Sequence, residues 1–280
     1  MDIVYNLLDI VLPFDWLKYD FMKNAFLAVL LITPLFGLLS TMVVSNRMAF
    51  FSDSLGHGAF TGLAIGAIVG ILSPTSALIL FSVVFALLIT WIKNHSSIST
   101  DTVIGVFSST GIALGLMMMS YGGGFNKYTG YLIGDVLSIT FDEVVALLGV
   151  LILVLLAWGL FFNKLLLLSV NTPFARSRGM NVVLLESIFA VMVAVVVAIS
   201  IQWVGLLIIN SLLVLPGATA RNISNSVKQY HALSVGSALF SGIAGLVLAY
   251  QLNMAVGATI VVIAALLFFI SMALKQRFVR

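Results

Sequence analysis

The sequence predicts an all-α, polytopic membrane protein with about nine transmembrane helices. Hydrophobic residues make up 61% of the 280 residues and charged residues only 8%, whereas about 25% of a soluble domain is charged. Apolar runs of about 20 residues, long enough for a helix to cross a bilayer, recur along the chain. These runs do not have the short alternating pattern of a membrane β-barrel. The chain has no cysteine, which excludes a disulfide framework and a thiolate metal site.

The first element, residues 1–20, is predicted to be a short amphipathic segment at the membrane surface. It contains four aspartates and no basic residue before Lys18, so it does not have the pattern of a secretory signal. The predicted crossings follow at 24–45, 54–71, 75–92, 101–120, 143–162, 182–201, 203–219, 230–250 and 256–274. A total of about eight or ten is also compatible with the sequence, because residues 125–139 and 203–219 could form re-entrant or half-helices. No linker or charge run separates the crossings, which predicts a single transmembrane domain over residues 1–280.

The basic residues predict the orientation of the chain. Ten of the thirteen lysines and arginines fall in loops on one side, namely Arg47, Lys93, Lys164, Arg176, Arg178, Arg221, Lys228, Lys275, Arg277 and Arg280. The positive-inside rule places this side in the cytoplasm. We therefore expect the N-terminus outside and the C-terminus in the cytoplasm. The net charge of +3 gives no indication of a nucleic-acid partner, because the basic residues already serve this topology.

The second predicted span carries an unusual pair of ionisable residues. Asp53 and His57 are four residues apart, so on a helix they share one face, which Thr61 continues. Ionisable side chains inside membrane spans generally face a cavity or a pathway rather than lipid. Small residues line the adjacent row of this helix, at Ser54, Gly58, Gly62, Gly66 and Gly70. Such a row lets another helix backbone approach closely, which predicts that the span is buried in the bundle.

The Asp53–His57 pair has two interpretations on spacing alone. A carboxylate oxygen with a neutral imidazole nitrogen suits a first-row divalent cation such as Zn²⁺ or Mn²⁺, and only two ligands would let the ion leave again. Alternatively, Asp53 follows Arg47 closely enough to cap the span, with His57 as its hydrogen-bond partner. The spacing by itself favours the cap.

The wider sequence changes this balance. The stretch "NRMAFFSDSLGHGAFTGLAIG" closely resembles the membrane permease of the bacterial ABC importers for zinc, manganese and iron, the ABC-3 family. Four further stretches resemble that family in the same order: "DTVIGVFSSTGIALGL", "YLIGDVLSIT", "VGLLIINSLLVLPGATAR" and "GATIVVIAALLFFISM". The resemblance runs from about residue 21 to about residue 275. In that family the Asp and His matched by Asp53 and His57 line the translocation path.

The resemblance implies a type II ABC-importer-like helix bundle in the inner membrane of a prokaryotic cell. It implies a permease without a catalytic site or a permanently bound cofactor, which carries a divalent metal ion as cargo. The expected partners are a second copy of the chain, two ATP-binding cassette subunits, an extracytoplasmic metal-binding protein and the lipid bilayer, with no nucleic acid. The chain itself has no phosphate-binding G-x-x-x-x-G-K-[ST] motif, which places ATP hydrolysis in a partner subunit.

The short span at 203–219 contains a second polar feature. Asn210 stands among leucines and isoleucines, and it could face the same path or form a gate together with Leu207, Leu213 and Thr61. An interhelical hydrogen bond from Asn210 is an equally good interpretation. Pro216 and the glycine after it are expected to end this short helix.

The longest cytoplasmic connection, residues 163–181, has room for a short docking helix. Either Asn171 or Thr172 could cap that helix, with a proline in its first turn. The segment "SVNTPFARSRGMNV" resembles the cytoplasmic coupling segment of metal-type and vitamin B12-type importers. The resemblance assigns coupling to the ATPase to five residues: Pro173, Ala175, Arg176, Arg178 and Gly179. Glu186, just beyond, is expected to pair with an arginine, and Asp135 is expected to cap the outer segment "VLSITFDE".

Three other functions compete with a permease for zinc or manganese. An ABC permease for an iron chelate or cobalamin would need a wide path without a ligating Asp–His pair. An ion-coupled secondary transporter should show further acidic residues in its spans, but only Asp53 looks deep. An intramembrane metalloenzyme should show an H-E-x-x-H or a second carboxylate motif, and neither occurs.

Overall fold

The described residues of the computed structural model, 2–12, 14–70, 73–121 and 134–278, are almost entirely helical and contain no strand. The helices are α1 (Asp2–Val11), α2 (Asp20–Ser45), α3 (Ala49–Val69), α4 (Pro74–His95), α5 (Thr100–Tyr121), α6 (Phe141–Val170), α7 (Thr172–Ser177), α8 (Val182–Val204), α9 (Leu206–Ile223), α10 (Val227–Leu252) and α11 (Val256–Phe278). Two short 3₁₀ turns cover Asp15–Lys18 and Val136–Ser138. The all-α prediction is confirmed.

Each of the nine predicted crossings corresponds to one long helix, from α2 to α11 without α7. Within the described residues, seven of them are long and apolar enough to span a membrane by length and composition. The two that are not among the seven are α3 and α9. These are the helices that carry Asp53, His57 and Asn210. Of the segment 125–139, residues 125–133 lie outside the described residues. Asp135 caps the 3₁₀ turn that follows by accepting a hydrogen bond from the N–H of Leu137.

Local chemistry explains where the helices begin and end. Helix α3 ends at Gly70, which has a left-handed backbone (φ 66°) and donates its N–H to the carbonyl of Gly66. Helix α4 begins after Ser73, whose side chain accepts from the N–H of Ser76, with a proline in the first turn. Helix α10 ends at Asn253, which has a left-handed backbone (φ 53°). After glycine, asparagine is one of the residues that adopt this conformation most readily.

The contacts divide the chain into two compact units, each assembled from separate stretches of sequence. The first unit comprises the described residues of 1–41, 134–153 and 211–280, and the second those of 42–133 and 154–210. In the second unit, α3 packs against α4, α5 and α8. In the first unit, α10 packs against α11. Neither unit could be read from the sequence as a contiguous domain.

Helix α3 makes close backbone contacts because glycines face its neighbours. A Cβ atom at Gly58 would lie 2.6 Å from the Phe85 ring of α4, and one at Gly62 would lie 2.6 Å from Phe81 Cβ. On the α5 side, a Cβ at Gly111 would lie 3.2 Å from the backbone nitrogen of Gly58. The two helices are also joined there by a hydrogen bond from the Thr61 hydroxyl to the Gly111 carbonyl. The α5 glycines were not singled out in the sequence, although the small-x-x-x-small spacing of Gly111 and Gly115 is a signal for such a contact.

The predicted glycine row of α3 is not uniform. Gly66 is buried. Gly70 is exposed at the end of the helix, and a Cβ there would meet no described atom within 4 Å. Its role in the structure is to terminate α3 rather than to pack against another span.

In the first unit, α9 continues as a helix through Pro216 and Gly217 to Ile223, so the prediction that these two residues end it is wrong. Proline has no N–H and would leave a gap in the helical hydrogen-bond ladder. Here Ser40 Oγ of α2 accepts from the Gly217 N–H at 2.8 Å and donates to the Val214 carbonyl at 3.3 Å. A Cβ at Gly217 would lie 2.6 Å from the Ser40 carbonyl oxygen, so only glycine allows this approach. Ser40 of a neighbouring helix therefore bonds two backbone groups next to the proline.

The N-terminal helix α1 is fastened to α2 by polar contacts. The Tyr5 hydroxyl donates to Asn24 Oδ1 at 2.5 Å, and Asn24 Nδ2 donates to the Ile139 carbonyl at 3.2 Å. The buried Lys23 ammonium donates to Asp9 at 2.7 Å. Burial raises the pKa of the Tyr5 phenol, and the Asp20 carboxylate adds to this, so Tyr5 stays protonated and able to donate. The surface-lying role expected for residues 1–20 remains a prediction.

A glycine-to-alanine substitution on α3, with a matched one on α5 as its control, tests the packing of α3. We expect Gly62→Ala to destabilise the protein by about 1–3 kcal/mol, because its Cβ must displace Phe81 at the root of that side chain. Gly105→Ala on α5 is the control, since a Cβ there meets no described atom within 4 Å and the helix gains propensity. The measurement is the thermal unfolding midpoint in detergent. Equal midpoints for the two variants would contradict the packing role of Gly62.

Candidate functional site

Asp53 and His57 lie in the first turns of α3. The helix begins at Ala49, and its N-cap is Met48, which makes no side-chain capping bond. Asp53 is therefore inside the helix and does not cap it, so the capping interpretation is wrong. The sequence predicts that this span starts at about residue 54, whereas the helix starts five residues earlier, at Ala49.

The two side chains face each other without forming a tight ion pair. His57 Nε2 lies 3.4 Å from Asp53 Oδ2, longer than an ordinary hydrogen bond. The Asp53 side chain is 37% exposed and that of His57 is 18% exposed. The other ring nitrogen, His57 Nδ1, is buried and has no hydrogen-bond partner among the described residues. The atoms that the pair presents together, in a partly exposed position, are therefore Asp53 Oδ2 and His57 Nε2.

The donor set of this pair can hold a cation only weakly. The described residues contain no group of three or more His, Cys, Asp or Glu side chains that could hold a metal ion. One carboxylate and one imidazole supply mixed oxygen and nitrogen donors, which suit first-row divalent cations. The remaining positions of such an ion would have to be filled by water or by uncharged oxygen atoms. This chemistry suits transient contact rather than a permanent site.

The face of α3 that carries Asp53 and His57 lies between two neighbouring helices, α5 and α9. On one flank, Ser52 donates to Asn210 Oδ1 at 2.6 Å, and a Cβ at Gly56 would lie 3.5 Å from Leu206 of α9. On the other flank, the residues after His57 contact α5 through Gly111. Because each residue turns a helix by about 100°, Asp53 and His57 point between these two contacts. We call this space between α3, α5 and the start of α9 the Asp53–His57 groove.

The residues predicted to gate the path occupy different positions. Asn210 lies beside the groove and makes the interhelical hydrogen bond to Ser52, one of its two predicted roles. Thr61 is buried and its hydroxyl is used in the contact with α5. Leu213 is fully buried within the first unit. The side chain of Leu207 lies outside the described residues. A gating role for any of them remains a prediction.

The predicted coupling segment contains the short helix α7. Residues 163–170 continue α6, so the connection proper begins at Asn171. Asn171 caps α7 by accepting from the Phe174 N–H at 2.9 Å, and Pro173 lies in the first turn. Ala175 is completely buried, and Gly179 ends the turn with φ of 73°.

The two arginines of this segment point outward. Arg176 and Arg178 are both exposed, and the Arg178 guanidinium lies 5.0 Å from the centroid of the Phe174 ring. Helix α7 packs on α8 within the second unit. The segment therefore has a buried anchor at Ala175 and an exposed basic surface.

A half-buried polar cluster lies close to α7, and it corrects one expectation. Glu186 of α8 pairs with Lys93 of α4 at 3.1 Å, not with an arginine, and it accepts from Asn94 Nδ2 at 2.8 Å. The Lys93 and Glu186 side chains are 24% and 15% exposed. Both line a cavity of about 120 Å³ that also contacts Met48, before α3, and Thr172 of α7. Sequence reasoning could not find this pair, because its members are far apart in the chain and no short motif joins them.

Comparison with known proteins gives consistent matches over nearly the whole chain. The model of the ABC 3 transport family matches residues 18–275. The "High-affinity zinc uptake system membrane protein ZnuB" of Buchnera aphidicola subsp. Baizongia pistaciae is 31% identical over 249 residues, covering 88% of this chain and 94% of that protein. The "Manganese import system permease protein ScaB" of Streptococcus gordonii is 31% identical over 264 residues, covering 94% and 95%. Among solved structures, PsaBC from Streptococcus pneumoniae in complex with Fab superposes with a TM-score of 0.83 at 29% identity, covering 99% of this chain and 98% of that one.

The Lys93–Glu186 pair predicts a specific pattern of stabilities. We expect Glu186→Met or Lys93→Met alone to cost about 1–3 kcal/mol, because each leaves a half-buried charged partner unsatisfied. The double variant should lose less than the sum of the two, since no unpaired charge remains. Thermal unfolding midpoints of the four proteins give the coupling energy. Asp15→Ala, which breaks the exposed pair with Lys18, is the control and should have little effect. Additive losses in the double variant would contradict the pairing.

Proposed function

The chain belongs to the ABC 3 transport family, and from this premise we propose that it is the membrane permease of an ATP-driven importer for a divalent transition metal ion. The observation that carries this function is similarity over nearly the full length to permeases of both zinc and manganese uptake systems. The cargo is Zn²⁺ or Mn²⁺, with Fe²⁺ as a further candidate. The iron-chelate, secondary-transport and enzymatic alternatives have no comparable support.

The Asp53–His57 groove is the part of the chain that we assign to metal passage. Asp53 supplies a carboxylate oxygen, and His57 supplies Nε2, the ring nitrogen that faces Asp53. Their side chains lie close enough to contact one ion together. The ion would lose part of its water shell to these ligands and recover it beyond them. Because the site offers only two strong donors, the ion is released again.

This donor set does not by itself select the metal. Zinc favours nitrogen ligands and manganese favours oxygen ligands, and one of each lies between the two preferences. The similar proteins include systems for both metals. We assign most of the selectivity to the extracytoplasmic binding protein that delivers the ion.

The remaining partners follow from the family. We propose that two copies of the chain form the membrane pore and that two ATP-binding cassette subunits attach at the cytoplasmic side. Helix α7 is the docking element on this chain, because its basic side chains are exposed while Ala175 anchors it. The cavity beside Lys93 and Glu186 joins α7 to the start of α3. We propose that motion of the ATPases displaces α7 and is passed through the residues around this cavity to α3, the helix that bears Asp53 and His57.

Metal accumulation tests the transport function and its site. Cells would co-express this chain with the ATPase and the binding protein of the same uptake system, and would receive zinc, manganese and iron in parallel. Wild type should accumulate one of these metals, whereas Asp53→Ala and His57→Ala should abolish uptake and still copurify with the ATPase. His95→Ala, an exposed histidine at the end of α4, is the control and should transport normally. Full uptake by Asp53→Ala would remove that residue from the path, and loss of assembly in both variants would indicate a structural role.

Charge reversal tests the docking role of α7. Arg176→Glu should weaken copurification with the ATPase subunits, because it places an acidic group where the exposed surface of α7 is basic. Lys164→Glu on α6 makes the same change of charge at another exposed position and should leave the complex intact. Equal recovery of the ATPase with both variants would count against the docking role.

A further inference from the structure

The α3–α5 contact fixes which residues of α5 lie opposite Asp53 and His57. A Cβ at Gly111 would lie 3.2 Å from Gly58, and one at Gly115 would lie 2.8 Å from the Phe60 ring and 3.1 Å from the Thr61 nitrogen. A later residue of α5 therefore contacts a later residue of α3, so the two helices run parallel. Gly58 and Gly111 are at equal height where the backbones come closest.

Helix α4 marks one flank of this contact. The Phe85 ring lies under Gly58, and it also packs edge-to-face on Phe107 of α5 with centroids 5.3 Å apart. Successive residues of a helix are rotated by about 100° around its axis. On α3, the step back from Gly58 to His57 turns away from α4, and on α5, the step forward from Phe107 to Ser108 does the same. His57 and Ser108 therefore lie on the same flank of the α3–α5 contact, the flank away from α4. This is the flank on which the Asp53–His57 groove opens.

Ser108 also has the right height. With a rise of about 1.5 Å per residue, His57 lies about 1.5 Å and Asp53 about 7.5 Å before Gly58 along the α3 axis. On the same scale Ser108 lies about 4.5 Å before Gly111. Its level on α5 thus falls between the levels of the two ionisable residues on α3.

The Ser108 hydroxyl is free to act as a ligand. It is half-buried and makes no hydrogen bond to any described residue. Some hydroxyls inside the spans are used by the fold, such as Thr90, which donates to the Ala86 carbonyl, and Thr61, which donates to Gly111. The buried hydroxyls of Ser54 and Ser82 also have no partner among the described residues, but Ser108 is partly exposed. One turn before Ser108, a Cβ at Gly105 would meet no described atom within 4 Å. The flank of α5 beside Ser108 is therefore open.

We propose that Ser108 is a third, uncharged oxygen donor of the metal path, facing Asp53 and His57 across the groove. The proposal rests on the proposed function and adds to it a residue on a second helix. A serine hydroxyl can replace one water of a divalent cation without adding charge, so the site gains an oxygen and still releases the ion. Two oxygen donors with one nitrogen also make the site more favourable to Mn²⁺ than the Asp–His pair alone.

Cysteine substitution tests this placement directly, because the chain has no cysteine of its own. In membrane vesicles holding the assembled permease and ATPase, Ser108→Cys would be treated with a charged, membrane-impermeant thiol reagent, with and without Cd²⁺. Cd²⁺ should slow modification about tenfold or more, since a thiolate completes a soft site with His57 and Asp53. The protection should disappear when Asp53→Ala and His57→Ala are added. Val106→Cys, on an exposed part of the same helix, is the control and should show no protection.

Metal uptake gives a second readout with the natural metals. Ser108→Ala should lower uptake by about three- to tenfold, the effect of losing one uncharged ligand, while Ser109→Ala on the neighbouring, exposed position leaves it unchanged. Two results would overturn the proposal. One is a Ser108→Cys variant that does not react with the thiol reagent in either the nucleotide-free or the vanadate-trapped complex. The other is Cd²⁺ protection that persists after Asp53 and His57 are replaced.

Absence of metal uptake in wild type would instead contradict the proposed function. The cadmium result does not depend on uptake, so the two failures can be distinguished.

Discussion

The close backbone contact between α3 and α5 is the constraint on which the candidate path depends. Gly58 and Gly111 approach so closely that a side chain on Gly111 would collide with the α3 backbone. This contact sets the rotation and height of one helix against the other. The direction of Asp53 and His57 follows from it, since they project beside the contact and not into it. In a membrane, where lipid is as apolar as leucine, such small-residue packing is a main source of helix association.

Several polar groups inside the helices hold the fold together, as shown by Ser40 with the α9 backbone and by Glu186 with Lys93 and Asn94. Asp53 and His57 differ from these groups, because Asp53 Oδ2 and His57 Nε2 lie 3.4 Å apart in a partly exposed position. Placing a carboxylate and an imidazole inside a membrane span costs free energy. Their retention is understandable if the two side chains contact a transported cation, which is the physical basis of the proposed function.

The second unit also brings α7, the proposed docking element, and α3, the helix of the proposed metal path, into one packed body. Helix α7 rests on α8, which contacts both α3 and α4. The Lys93–Glu186 pair fastens α4 to α8 next to the cavity that reaches Thr172 and Met48. A half-buried ion pair resists separation because either charge alone would be poorly solvated. We infer that α4 and α8 move together when the docking element is displaced.

The sequence by itself determined the class, the helix order and the ionisable pair. Composition and apolar run length required a helical membrane protein, and the four-residue spacing of Asp53 and His57 required a shared helix face. The resemblance of its motifs indicated the family. Properties with a local physical cause were predictable, such as the cap formed by Asn171.

Only the tertiary structure decided what depends on contacts between distant residues. It showed that Pro216 does not end α9, because Ser40 of another helix satisfies the backbone there. It paired Glu186 with Lys93, and it moved the start of α3 to Ala49, which places Asp53 inside the helix and removes the capping interpretation. It also set the rotation of α5 against α3, from which we infer the position of Ser108 beside the groove. These results depend on the relative rotation of helices, which side-chain packing sets and which a single sequence does not encode in any local pattern.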